Sequence, residues 1–237
     1  MLAVFDCRMP LEAEKMLQRE GHATLRLPPH PNLPAPVASH TDMLLFFSGD
    51  SVICTREYYR TAESQIHAIL RHCKKTLCLS DMEIAPVYPA DILLNAATVG
   101  EELFCSPTHT ASEILREYPP QKLHAVRQGY AKCSVLPVGK RALITQDPSI
   151  ASAAKAAGID TLQISANGIS LPGYSNGFWG GIASFSPYEE IDRIYFCGNL
   201  EQHPEGQAIR SFCLSHGKRP ISLGGFPLLD VGTIFMI

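Results

Sequence analysis

Several polar residues stand at the edges of apolar runs, where side chains could do chemistry. His40 and Asp42 lie in HTDMLLFF, Asp91 and Asn95 in PADILLNAA, Lys132 and Cys133 in GYAKCSVL, and Asp230 in LLDVGTIFMI. His40 could act as a base or ligate a metal, or it is a polar loop residue. Asp42 could cap a turn or pair with a neighbouring loop. Asp91 and Asn95 could take up a polar end of a ligand, although Pro89-Ala90-Asp91 also reads as a strand-entry turn. Cys133 is a candidate nucleophile if the neighbouring Lys132 lowers the pKa of its thiol. Adjacent strand residues point to opposite faces, however, which favours a packed cysteine. Lys132 itself could bind a carboxylate or phosphate. Asp230 could face Asp42, and two ionised carboxylates there would favour a cationic ligand. The run GYSNGFWGG, 173–181, holds four glycines and three aromatics, including the only tryptophan, Trp179, and it contains Asn176. Its backbone is expected to approach something closely, either a ligand on a Trp179 platform or a tight packing crossing.

These residues need elements to hold them, and the chain repeats one sentence to supply those elements. MLLFFSGDSVICT is followed by a helical stretch from Tyr58 to His72 and by KTLCLS. ILLNAATVGEELFCS is followed by a helix from Thr108 to Glu117 and by KLHAVR. CSVLPVGKRALITQ precedes a helix from Pro148 to Ala157, with Asp147 as N-cap and Gly158 as stop, and then TLQIS. GGIASFSPYEEIDRIYFCG precedes a helix from about Glu205 to Ser215 and then PISLG. Each unit reads strand, turn, strand, helix, strand. Gly49-Asp50, Gly100-Glu101 and Gly139-Lys140 fit two-residue hairpin turns with positive φ at the glycine. The remaining pieces are complementary. VGTIFMI ends the chain as a first strand, and MLAVFDC begins it as a second strand, followed by a helix from Pro10 to Glu20 and a strand from Ala23 to Leu27. Pairing head with tail removes two exposed apolar edges and makes a fifth unit. The expected units span 43–80, 91–127, 133–165 and 181–223, with 228–237 joined to 1–27. An open solenoid would need polar caps, which IFMI and MLAVF are not, and an all-β propeller lacks the helices.

The 237 residues carry a net charge of −3, with 46% hydrophobic and 18% charged residues, which describes one globular domain without basic stripes. Nucleic acid and membrane are therefore not expected partners; a small molecule is, and an oligomer is compatible. MLAVFDC lacks a charged leader, so a cytoplasmic location is expected. Eight cysteines without a Cys-x-x-Cys pair do not suggest a zinc site. No cofactor is called for, and a metal is neither required nor excluded.

The ring of five strand-strand-helix-strand units, with one unit split between the termini, resembles the pentein fold of guanidine-modifying enzymes. That fold is a five-bladed, pseudo-symmetric α/β propeller of ββαβ-type repeats. The segments HTDMLLFF, RQGYAKCSVL, GYSNGFWGG and LLDVGTIFMI look closer still to an uncharacterised bacterial family assigned that fold. The resemblance implies a pocket where the loops entering the first strands converge, and those loops carry Tyr88, Tyr130, Tyr174 and Trp179. It implies that Asp42 holds a guanidinium through paired hydrogen bonds. It also implies a histidine on a middle unit and a nucleophilic cysteine on the last. Here Lys132 and Cys133 stand near the first position, and Gly232 and Thr233 stand at the second. Thr233 thereby joins the ligand-binding candidates. The expectation is a ligand-binding pentein, either a divergent C–N hydrolase or amidinotransferase, or alternatively a non-catalytic structural or partner-binding ring.

Overall fold

The hydrogen-bonding capacity of the first strand, β1 (Leu2–Asp6), is used on both sides. On one side it pairs in parallel with β2 (Ala23–Leu27), reached through helix α1 (Leu11–Arg19). The structure is a computed structural model that describes residues 1–165, 167–188 and 191–237. All of β1 is buried: Ala13 and Leu17 of α1 cover Ala3 and Phe5 on one face, and Leu2 and Val4 pack into a separate cluster on the other. The outer strand β2 is half exposed. Burial on the inner strand and exposure on the outer one recur through the chain.

The second unit starts with a helical turn, α2 (Thr41–Leu44), followed by β3 (Phe46–Phe47), β4 (Ser51–Thr55), helices α3 (Arg56–Thr61) and α4 (Glu63–Cys73), and β5 (Thr76–Ser80). β4 is antiparallel to β3 and parallel to β5. Next come β6 (Ala97–Val99), β7 (Glu102–Cys105), α5 (Ser112–Arg116) and β8 (Leu123–Ala125), paired in the same way. A second helical turn, α6 (Ala131–Ser134), leads to β9 (Val135–Gly139), β10 (Ala142–Thr145), α7 (Pro148–Ala156) and β11 (Asp160–Gln163). Asp147 caps α7 by accepting from Ser149 N and Ile150 N, with Pro148 at the first turn.

The turn at Gly100 is as expected, with φ +60 between the paired Val99 and Glu102. The other two differ. Gly49 does not have positive φ, and Gly139 is the last residue of β9, paired with Ala142, so that the turn is Lys140-Arg141 with a bulge after Ala142. The helix expected over Tyr58 to His72 is two helices, broken at Ala62.

The fourth unit departs most from a simple repeat. β12 (Ser184–Phe185) is separate from the sheet of β13 (Arg193–Phe196), α8 (Gly206–Ser215) and β14 (Arg219–Ser222), and touches β13 through an isolated bridge, Ala183 to Phe196. It pairs in parallel with the last strand, β15 (Ile234–Met236). The reason is visible in the backbone: Val231 N and Thr233 N both donate to Gly181 O, and Ile234 N donates to Ala183 O. Glu189 and Glu190, part of the predicted connection, lie outside the described residues.

β15 also lies antiparallel to β1, with Ala3 opposite Met236 and Val4 opposite Phe235. Leu2 and Ile237 exchange both backbone hydrogen bonds, at 2.7 and 3.0 Å. The chain ends are therefore neighbours in one four-stranded sheet, ordered β12-β15-β1-β2. Phe235 packs on Phe47 with 4.6 Å between ring centroids, tying this sheet to the next unit. Burial of each such ring is worth about 1.5–3 kcal/mol. Among the described residues, no helix is long and apolar enough to cross a membrane.

Candidate functional site

Two helical turns and one strand entry meet at the end of the sheets where the first strands begin. α2 carries Asp42 and α6 carries Lys132, each as the second residue of a four-residue turn rather than on a strand. This corrects the expectation that Lys132 and Cys133 alternate across a sheet. β15 follows Gly232 and Thr233, both in the left-handed region at φ +67 and +63. For glycine that backbone is free, but for a β-branched threonine it is strained. The contacts hold it there. Thr41 Oγ1 donates to the carbonyl of Gly232 or Thr233, and Asp42 N donates to Gly232 O at 3.2 Å. A Cβ on residue 232 would fall 2.2 Å from His40 Cβ, so only glycine fits between strand and turn.

The Thr233 hydroxyl is the centre of the cluster. It accepts from Lys132 Nζ at 2.9 Å and lies 2.8 Å from both Asp42 Oδ2 and Gly180 O, to one of which it donates. Asp42 Oδ1 is buried without a hydrogen-bond partner. The Lys132 amine sits over the rings of Phe185 and Phe235, 5.3 and 5.9 Å from their centroids. Its burial favours the neutral amine and pushes its pKa down, against the opposing pull of Asp42, Cys133 and Asp230.

Asp230 accepts from Phe178 N (2.8 Å) and Gly232 N (3.0 Å). Burial nevertheless pushes its carboxyl above the usual carboxylate range, and nearby Asp42 adds to this. His40 is suspended between two carboxylates, with Nδ1 3.8 Å from Asp230 and Nε2 3.8 Å from Asp6. Burial alone would raise Asp6, but hydrogen bonds from Arg8, the charge of His40 and a bond from Ser39 outweigh it and hold Asp6 below its ordinary value. Asn95 locks the two turns together. Its Oδ1 accepts from Lys132 N (2.9 Å) and Cys133 N (3.3 Å), and its Nδ2 faces Asp42 O and Cys133 Sγ, both at 3.0 Å.

The structure thus brings His40, Asp42, Asn95, Lys132, Cys133, Asp230 and Thr233 together from across the chain, each no more than 4% exposed. Cys133, the candidate nucleophile, is poorly suited to that role, because burial drives its thiol well above its ordinary pKa and outweighs the effect of Lys132. Trp179 is no platform. It is fully buried, its indole donates to Ser165 O at 2.9 Å, and its ring meets His203 edge-on. The glycines of 173–181 do allow a close approach, but to Asp230: a Cβ at Gly181 would lie 1.9 Å from its Oδ1. Asn176 is exposed on that loop, away from the cluster's hydrogen bonds. Asp91 and Tyr130 form a separate pair, with Tyr130 Oη donating to Asp91 Oδ2 at 2.6 Å. Tyr130 packs against the half-exposed Tyr88 on one side and Phe178 on the other, a row of rings from the surface to the residue that binds Asp230.

An open pocket among the converging loops was expected, but the cluster there is closed. A cavity of about 300 Å³ opens instead at the hairpin-turn end, bordered by Gly100, Lys140, Ser184, Phe185 and Arg193. Phe185 is the ring between that cavity and Lys132. Asp6, Arg8 and Ser39 were missed by sequence reasoning; an acid closing a buried strand with an arginine two residues on was the available signal. Among the described residues, no group of three histidine, cysteine or acidic side chains could hold a metal.

This mixed α/β arrangement is similar to that of pentein-fold enzymes. DDAH from Pseudomonas aeruginosa, in a cysteine-to-serine variant complexed with citrulline, superposes with a TM-score of 0.53 at 12% identity, covering 93% of this chain and 90% of that one. Inosamine-phosphate amidinotransferase from Streptomyces griseus gives a TM-score of 0.44 at 14% identity, covering 94% and 81%. No curated protein matches the sequence significantly. The chain belongs to a family of unknown function, DUF6873, whose model matches residues 4–235.

Proposed function

We propose that the chain is a five-bladed ring, closed where β15 meets β1, that binds a small guanidino- or amidino-type molecule at the buried cluster. Asp42 is the anchor. The observation carrying this reading is its unpartnered, buried Oδ1. A carboxylate oxygen without a donor in such surroundings costs about 1–3 kcal/mol or more, and a planar N–H donor set from a ligand would recover it. DDAH, similar in fold, is complexed with citrulline, whose neutral ureido group shares the planar C–N frame of a guanidinium but not its charge, and this supports a small planar C–N ligand. On this reading the partner is a small molecule, and the chemistry, where it occurs, is on a C–N bond. A second reading, a non-catalytic scaffold, is favoured by one specific feature, the closure of the loop end over the cluster. Calorimetric titration with agmatine, L-arginine and Nω-methylarginine separates the two. Binding by the wild-type protein, with affinity falling at least 100-fold in Asp42→Asn while the fold is kept, supports the ligand site. Absence of heat for all three, or equal binding by the variant, favours the scaffold.

A further inference from the structure

At the entry to β15, a threonine hydroxyl sits in an unusual setting. Thr233 combines a left-handed backbone, complete burial and a 2.9 Å contact with the buried Lys132 amine. Thr233 Oγ1 is also 2.8 Å from the proposed ligand anchor, Asp42. Strain of about 1–3 kcal/mol at a β-branched residue persists only where its surroundings over-determine it, and it concentrates at working sites. We propose that Thr233 is an oxygen nucleophile and Lys132 its general base, a threonine–lysine pair acting on the C–N bond of the bound guanidinium or amidinium. The inference rests on Asp42 being the ligand anchor.

The neutral Lys132 amine removes the hydroxyl proton as Oγ1 forms a bond to the central carbon. That carbon becomes tetrahedral, its C–N bond breaks, and the departing amine takes the proton from the Lys132 ammonium. A positively charged isourea ester is left on Thr233. Water then adds to the same carbon while Lys132 accepts its proton, the Lys132 ammonium returns that proton to Oγ1 as the C–Oγ1 bond breaks, and the protonated urea so released passes its proton to the ammonia. For a guanidinium the sum is guanidinium plus water giving urea product plus ammonium. Desolvation of Lys132 works in the needed direction, because it favours the neutral amine that can accept a proton. Cys133 cannot substitute, since its thiol is held protonated and engaged with Asn95. The pair is shielded from solvent, so the substrate reaches it as the Tyr88–Tyr130–Phe178 row gives way.

The experiment incubates the full chain with agmatine and with Nω-methylarginine, follows release of ammonia or methylamine, and measures the mass of the C-terminal peptide after acid quenching. Expected are turnover in the wild type, retention within about 10-fold in Thr233→Ser, and loss of at least 100-fold in Thr233→Ala and Lys132→Arg. A covalent increment should appear on the peptide carrying Thr233. The alkaline dependence of turnover should be set by Lys132, with single-turnover rates rising as the amine deprotonates. Binding of agmatine without turnover or adduct overturns the nucleophile and leaves the ligand site standing. Turnover that survives in Thr233→Ala, or an adduct on Cys133, also overturns it. No binding at all removes the ligand site beneath it.

Discussion

Replacing Gly232 with alanine tests whether the cluster is as tightly built as the packing implies. Two costs add. An L-residue at φ +67 costs about 1–2 kcal/mol relative to glycine. The new Cβ would also lie 2.2, 2.3 and 2.5 Å from Cβ, Cγ and Cα of His40, and Cα is backbone that cannot rotate away. Overpacking of this kind adds about 1–3 kcal/mol. The sum is about 2–5 kcal/mol. At about 2–4 °C per kcal/mol for a chain of this size, the melting temperature should fall by about 4–20 °C. Gly217→Ala is the matched control: φ is +72 and nothing lies within 4 Å of the added Cβ, so that only the backbone cost applies. Thermal unfolding followed by circular dichroism should show a larger loss in Gly232→Ala than in Gly217→Ala, the difference being the overpacking cost of about 1–3 kcal/mol. Agmatine binding should also weaken in Gly232→Ala alone, because His40 spans Asp6 and Asp230. Equal losses in the two variants would show that strand entry and helical turn do not press on each other, and the argument for a rigid site would fail.

Iodoacetamide at neutral pH should label the half-buried Cys7, Cys73 and Cys78 in the native protein well before Cys133; native labelling of Cys133 ahead of them would contradict its burial and raised pKa. Asp6, held below its ordinary pKa, contributes stability that is present above the unfolded value near 4 and lost as pH falls through the folded one. The gap in urea midpoint between wild type and Asp6→Asn should therefore be wide at pH 7 and close in acid, and a gap independent of pH would remove the ionised carboxylate from the explanation. Asn95→Ala should destabilise the protein by about 2–4 kcal/mol in urea unfolding, since it leaves two buried N–H groups and the Asp42 carbonyl without their partner. A loss under 1 kcal/mol would show that other contacts hold the two turns.

Much of this was legible because it follows from local chemistry. Asp147-Pro148 starts a helix, glycines 21, 158 and 217 stop helices at positive φ, and Gly100 turns a hairpin. The apolar ends MLAVF and IFMI made poor caps, which pointed to their pairing. That pairing in turn carries Thr233 to Asp42, 191 residues away. What could not be read is equally physical. The helical turns at 41–44 and 131–134 are too short to show a helical period, so that Lys132 and Cys133 looked like strand residues. The attachment of β12 to β15 is a two-residue parallel pairing set by distant backbone groups. Trp179 lies in a glycine-rich run that looked like a ligand loop, yet its indole is sealed into the core by the carbonyl of Ser165. Asp6 was hidden because its partners are Arg8, beside it, and Ser39, a residue with no distinguishing neighbours in the sequence.

The most direct measurement is a crystal structure of the protein soaked with agmatine. The guanidinium should lie at the converging loops with a nitrogen about 2.7–3.0 Å from Asp42 Oδ1, its central carbon facing Thr233 Oγ1, and Tyr130 shifted away from Phe178. Agmatine seated only in the hairpin-end cavity beside Phe185, with Asp42 Oδ1 still unpartnered, would contradict the assignment of the site.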